Sequence, residues 1–238
     1  MHYISILSTI VSLSFALAVF NRYRQRGGSH LLFWTIGLVL YGLGTLTEVV
    51  MLFTFNALAL KIWYISGAML TAAWLGQGSV NLLVRKRGVA KTLNIILVIV
   101  SLAAILLVLF APVTSAAASF NPGEPVSSQY KDILVRNGII IFLTIILNLY
   151  GTVTLVGGAI YSAFLFWRKK VMLNRMLGNI LIAAGALMPA MGGSFLKAGL
   201  PDWLYLSEFL GAIVMYIGFV QATVPQSAQA PSAVTLGD

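Results

Sequence analysis

The sequence predicts an all-α integral membrane protein: a seven-transmembrane-helix bundle with its N-terminus outside and its C-terminus cytoplasmic. Three observations carry that expectation. Seven apolar stretches fill almost the whole chain, charge is scarce, and the basic residues gather on one side. A helix needs ~20 apolar residues to cross the ~30 Å hydrocarbon core. Of the 238 residues, 59% are hydrophobic and 9% charged, against about 25% charged in a soluble domain. The spans read as 2–21, 31–53, 59–84, 92–111, 138–166, 173–196 and 202–222. They make one domain, residues 1–222, and leave no room for a soluble catalytic unit.

Span 1 contains Ala16-Leu17-Ala18, the small-x-small form of a signal-peptidase site. No positive charge precedes its apolar run, and Arg22, Arg24 and Arg26 follow it. A cleaved signal has the opposite polarity, so span 1 is taken as a mature helix. Arg85, Lys86, Arg87 and Lys91 follow span 3; Arg168, Lys169, Lys170 and Arg175 follow span 5. Eleven of the fifteen Lys and Arg residues therefore share one side, with Lys61, Lys131, Arg136 and Lys197 on the other. Short basic loops mark the cytoplasmic face. The net charge of +9 is thus a topological anchor facing lipid headgroups, and the bilayer is the expected partner in place of nucleic acid.

Span 4 leads into residues 112–137, a long external connection broken by Pro112, Pro122, Gly123 and Pro125. Two readings stand for it: a plain connector, or a lid over an outward-facing pocket. Residues 130–136 could start an interfacial helix that runs into span 5. Pro189 is expected to bend span 6. The tail, 223–238, is rich in Pro, Ser, Ala and Gln and is expected to be disordered. It carries no kinase or nucleotide-binding pattern, so a signal sent inward would need a partner chain.

Spans 2–3 align without gaps onto spans 6–7 at an offset of 141 residues: Gly37, Leu40, Gly44 and Leu46 fall on Gly178, Leu181, Gly185 and Leu187. A parallel repeat of three helices, a linker helix and three more would produce this. Paired small residues such as Gly42 and Gly44, or Gly76 and Gly78, would let helices approach closely.

Two carboxylates lie within apolar spans: Glu48 in span 2 and Glu208 in span 7. Ionisable groups at such depth usually face a bundle interior or a watery cavity. Trp63, Tyr64 and Tyr205 lie at similar depth. Together these five residues form the candidate ligand site, an outward-facing pocket between spans 2, 3, 6 and 7. The competing reading pairs each Glu with Lys61 or Lys197 as an interfacial anchor. A second polar layer, Gln77, Asn81, Asn94 and Asn179, is expected to tie helices together by amide hydrogen bonds. No Cys is present, and His2 and His30 are the only histidines. On this topology the two lie on opposite sides, so a haem or shared metal site is not expected. No catalytic residue set is assigned; an enzyme is possible but unsupported.

Seven spans with an external N-terminus resemble the rhodopsin and heptahelical receptor plan. Span 7 has no Lys, so the resemblance does not extend to a retinal Schiff base, and any cofactor stays unidentified. Phe33-Trp34-Thr35-Ile36-Gly37, the stretch through Glu48, and Ala73-Trp74-Leu75-Gly76-Gln77-Gly78 resemble the seven-helix input regions of some bacterial histidine kinases. That resemblance covers spans 2 and 3 and implies a sensor-like module of the plasma membrane. The three-one-three plan is similar to small sugar transporters of the SWEET type, but spans 1 and 5 lack the prolines of that family. The expected function is a heptahelical sensor or small-ligand-binding protein acting through a partner membrane protein or cytoplasmic effector. An accessory subunit of a larger membrane complex, or a small transporter, are the alternatives. Reporter fusions after Gly27, after Lys86 and in the tail are expected to read as cytoplasmic; an external signal from any of them contradicts this topology.

Overall fold

The computed structural model describes residues 3–86, 88–169 and 173–223. Arg87, Lys170 and the tail beyond Thr223, including its expected disorder, lie outside the described residues, as does His2. What is described is all-helical, with one isolated antiparallel bridge between Val113 and Leu134. The helices are α1 (Ile4–Arg26), α2 (Ser29–Met51), α3 (Ala57–Leu83), α4 (Val89–Leu109), α5 (Val126–Ile133), α6 (Gly138–Lys169), α7 (Leu173–Ala190), α8 (Gly192–Lys197) and α9 (Pro201–Thr223). A spanning segment must satisfy its own backbone groups, which an apolar helix does. Among the described residues, six helices are long and apolar enough to cross a membrane: α1, α2, α3, α4, α6 and α9. The chain therefore has the character of a multi-pass membrane protein. The expected span 6, residues 173–196, is shorter than anticipated. It ends as α7 at Ala190, a turn follows at Met191, and α8 takes up the remainder. Asn174, Arg175 and Asn179 load its first half with polar groups.

Local signals explain the helix ends. Asn56 caps α3 by accepting from the Ala59 N–H at 2.9 Å, and Asn137 caps α6 by accepting from Ile140 N–H at 2.9 Å. Gly27 and Gly28 turn α1 into α2 with φ of 67° and 103°, a left-handed conformation that glycine tolerates best. The helix of span 1 runs further than its apolar stretch, so Arg22, Arg24 and Arg26 occupy its last turns.

The helices close into a ring. α1 packs on α2, α2 on α3, α3 on α6, α6 on α7, α7 on α9, and α9 returns to α1. α4 lies outside the ring, against α3 and more lightly against α6. Glycines set the close approaches. A Cβ on Gly44 would stand 2.9 Å from the Cα of Gly67, and one on Gly185 would stand 2.7 Å from the Gly211 carbonyl oxygen. Gly151 of α6 meets the Ala72 backbone so closely that no Cβ fits. Ser5, Ser8, Thr9 and Ser12 form a buried polar stripe on α1. Thr9 Oγ1 donates to Thr45 Oγ1 at 2.9 Å across to α2.

The connection 112–137 is folded. Thr114 N–H donates to the Ile133 carbonyl at 2.9 Å and Val135 N–H to the Pro112 carbonyl at 3.0 Å. Gln129 clasps the turn through Asn121 N–H at 2.8 Å and the Asn121 carbonyl at 3.0 Å. The expected helix over 130–136 is corrected: α5 ends at Ile133, Leu134 is extended, and α6 begins separately at Gly138. Pairing of Leu134 with Val113 draws the chain out of the helix there.

Gly185→Ala is expected to cost ~1–3 kcal/mol, since the added methyl overpacks the α7–α9 contact. Gly157→Ala, where a Cβ meets nothing within 4 Å, should change stability by less than ~0.5 kcal/mol. Thermal unfolding in detergent measures both.

Candidate functional site

The ring encloses a cavity of about 380 Å³, lined from α2, α3, α6, α7 and α9 and reached by α5. It occupies the half of the bundle farther from the basic clusters. Its upper wall carries Glu48 and Trp63; its lower wall reaches Leu75, Val156 and Met215. Close below, Gly76 packs against Thr154 and Gly151, which seals α3 to α6.

Glu48 is 4% exposed and both of its carboxylate oxygens are engaged. Ser5 Oγ of α1 donates to Oε2 at 2.9 Å, and Trp63 Nε1 of α3 donates to Oε1 at 2.6 Å. A buried carboxylate without donors would be strongly unfavourable; these two bonds join three helices at the cavity mouth. Glu208 differs. It is half-buried and lines the same cavity, and among the described residues no group donates to its side-chain oxygens. Its backbone carbonyl accepts from the Tyr41 hydroxyl at 2.7 Å, which ties α9 to α2.

The wall from α3 winds as a π-helix over Tyr64–Leu70. Such segments are uncommon and concentrate at functional sites. Here the wide turn presents Tyr64, Gly67 and Ala68 to the cavity. Thr71 Oγ1 donates to the Ser66 carbonyl at 2.7 Å, and Asn148 of α6 donates to the Ala68 carbonyl at 2.7 Å. Tyr64 hydroxyl meets Thr144 Oγ1 at 2.9 Å. Because Thr144 donates its own proton to the Ile140 carbonyl at 2.8 Å, Tyr64 is the donor in that pair.

α5 brings Ser127 and Tyr130 to the cavity. Tyr130 packs its ring 5.1 Å from Trp63 and 5.7 Å from Tyr64, and the Arg136 guanidinium sits 4.8 Å over Tyr130. Burial raises the Tyr130 phenol above its ordinary range, against the opposing pull of Arg136, so the ring stays neutral in its aromatic cluster. Ser127, 2% exposed, is also at the cavity wall; its Oγ is fully enclosed and lies against the Tyr205 hydroxyl. The connection thus contributes Ser127 and Tyr130 to the cavity wall.

Four of the five candidate residues line the cavity: Glu48, Trp63, Tyr64 and Glu208. Tyr205 does not. It is buried beside a smaller crevice behind Glu48, with Ser5, Met51 and Val126. The expected walls also need correction. Span 5, as α6, contributes Thr144, Asn148, Gly151 and Thr152, because the ring places it next to α3. Lys61 does not pair with Glu48. Its Nζ donates to the Leu109 carbonyl at 2.7 Å, a favourable place for a cation at a helix C-terminus. The side chain of Lys197 lies outside the described residues. The second polar layer holds Gln77, Asn81 and Asn94 together: Gln77 Nε2 donates to Asn94 Oδ1 at 2.5 Å and Asn81 Nδ2 to the same oxygen at 2.8 Å. Tyr150 of α6 donates to Gln77 Oε1. Asn179 takes no part in this network; instead Asn174 accepts from Gln221 at 3.1 Å between α7 and α9.

Ser5, Tyr41, Ser127, Tyr130 and Asn148 were not legible as site residues. The Ser5-Ser8-Thr9-Ser12 stripe at helical spacing was an available signal that span 1 faces a polar partner. Nothing in the sequence announces the π-helical turn. No protein family, curated protein or solved structure matches the chain.

Trp63→Phe keeps the ring but removes the donor to Glu48. It is expected to cost ~1–3 kcal/mol, the penalty for a buried acceptor left unpaired. Trp203→Phe, at an exposed position, should leave the unfolding temperature unchanged in the same assay.

Proposed function

We propose that this chain is a heptahelical sensor or small-ligand-binding protein of the plasma membrane, with α7 completing the seven spans. Its N-terminus lies outside, its C-terminus is cytoplasmic, and it acts through a partner chain. The observation that carries this reading is the cavity of about 380 Å³, a size within the range of small-molecule sites. On the proposed orientation the cavity faces outward and α5 is its lid. α6 supplies a route inward: it bears cavity residues near Asn148 and contacts the Gln77 network two residues further on, through Tyr150. The segments that resemble kinase input regions also meet, with Phe33 and Trp74 stacked at 5.2 Å. Occupancy of the cavity would therefore bias the packing of α3, α4 and α6, which a partner could read.

One observation favours a second reading. The ring order, with α4 outside and α1–α3 followed by α6, α7 and α9, fits a 3+1+3 parallel repeat such as small transporters use. The two readings part experimentally. Protein in lipid nanodiscs would be screened by thermal shift against panels of small amines, neutral sugars and carboxylates, with Ala68→Leu and Thr152→Leu as cavity-filling variants. The sensor reading expects stabilisation of the wild type by at least one class. It also expects loss of that shift in the variants, and no uptake of the same compound into liposomes. Uptake supports the transporter; no shift with any class, or an equal shift in both variants, overturns the ligand site.

A further inference from the structure

The hydrogen-bonding capacity that the cavity leaves unspent is mostly acceptor capacity. Its donors are already committed. Trp63 Nε1 serves Glu48, the Tyr41 hydroxyl serves the Glu208 backbone carbonyl, and Tyr64 serves Thr144. Asn148 spends its amide protons on the Ala68 and Thr144 carbonyls, at 2.7 and 2.9 Å. What remains open is the Glu208 carboxylate and Asn148 Oδ1, neither of which receives a bond from any described residue. The hydroxyls of Thr152 and Tyr130 can act either way. No Lys, Arg or His is among the lining residues, whereas two carboxylates and four aromatic rings are. Arg136 sits over the Tyr130 ring, its buried Nε without a hydrogen-bond partner among the described residues, and does not line the cavity.

Resting on the ligand-site reading above, we propose that the cavity takes a small organic cation, an amine or quaternary ammonium, seated between Glu208 and the ring faces of Tyr41, Trp63, Tyr64 and Tyr130. Carboxylate and aromatic faces together are the chemistry that holds an ammonium group. A desolvated ammonium needs acceptors on several sides, and Asn148 Oδ1 and the Thr152 hydroxyl, both in the cavity wall, supply them. A carboxylate ligand would bring acceptors to a wall whose open positions are themselves acceptors, and a neutral alcohol brings one donor where an ammonium brings up to three. The apolar remainder of the wall, Leu75, Leu155, Val156 and Met215, suits a hydrophobic group attached to the cation.

A matched trio of probes tests the charge preference: phenethylamine, phenethyl alcohol and phenylacetate, each titrated calorimetrically into nanodisc-embedded protein. The expected result is phenethylamine binding at least tenfold more tightly than the alcohol, with phenylacetate weaker than both. Glu208→Gln should weaken the amine at least tenfold and leave the alcohol within twofold. Should the variant fail to assemble, the wild-type ranking alone decides. Equal or tighter binding of the alcohol or of phenylacetate overturns the cation assignment while leaving the ligand site standing. Absence of binding by all three overturns the assignment, and the thermal-shift panel then tells whether the site itself falls with it.

Discussion

The Glu48 carboxylate governs the geometry of the cavity mouth. A buried acceptor in an apolar bundle has to be met by donors from neighbouring helices. Ser5 brings α1 to it and Trp63 brings α3. Those bonds hold three helix ends in register and place the Trp63 ring beside α5, where Tyr130 packs on it. Lower in the bundle the forces differ. Between apolar helices in lipid, close backbone approach replaces hydrophobic pull. Gly76 and Gly151 join α3 to α6, and Gly185 and Gly211 join α7 to α9. The cavity lies beside these contacts: Gly151 is in its wall, and Gly211 falls between the wall residues Glu208 and Met215. The π-helical turn of α3 adds Tyr64, Gly67 and Ala68 to the same wall.

The membrane character was legible because hydrocarbon thickness imposes a length and a composition that few other constraints mimic. Depth was legible for the same reason, so Glu48 and Glu208 could be placed on one level before their contacts were seen. Neighbour relations were not. Apolar helices carry little information about which faces meet, and so the contribution of α6 to the wall was missed. Tyr205 was taken for a wall residue because its depth was right, although it points to the crevice behind Glu48. The end of α7 was misjudged because apolar residues continue past Pro189 while the helix does not. Lys61 illustrates a different difficulty. A cation near a carboxylate in sequence suggests an ion pair, yet the open carbonyls at the end of α4 provide its partner.

The two carboxylates have unlike surroundings. Both oxygens of Glu48 are met by donors, from Ser5 and Trp63; Glu208 lines the cavity and receives no hydrogen bond from the described residues. On the proposed reading the first holds helices together and the second meets the ligand.

The central claim is that the ring holds a ligand-sized space under α5, with Glu208 facing into it. An experimental density map of the protein in lipid nanodiscs, in the presence of phenethylamine, tests this most directly. The account predicts density for a compact non-protein species within the ring, adjoining Glu208 and the aromatic lid. A cavity collapsed by inward side chains, a cavity filled by a lipid acyl chain, or Glu208 turned out toward the headgroups would contradict it.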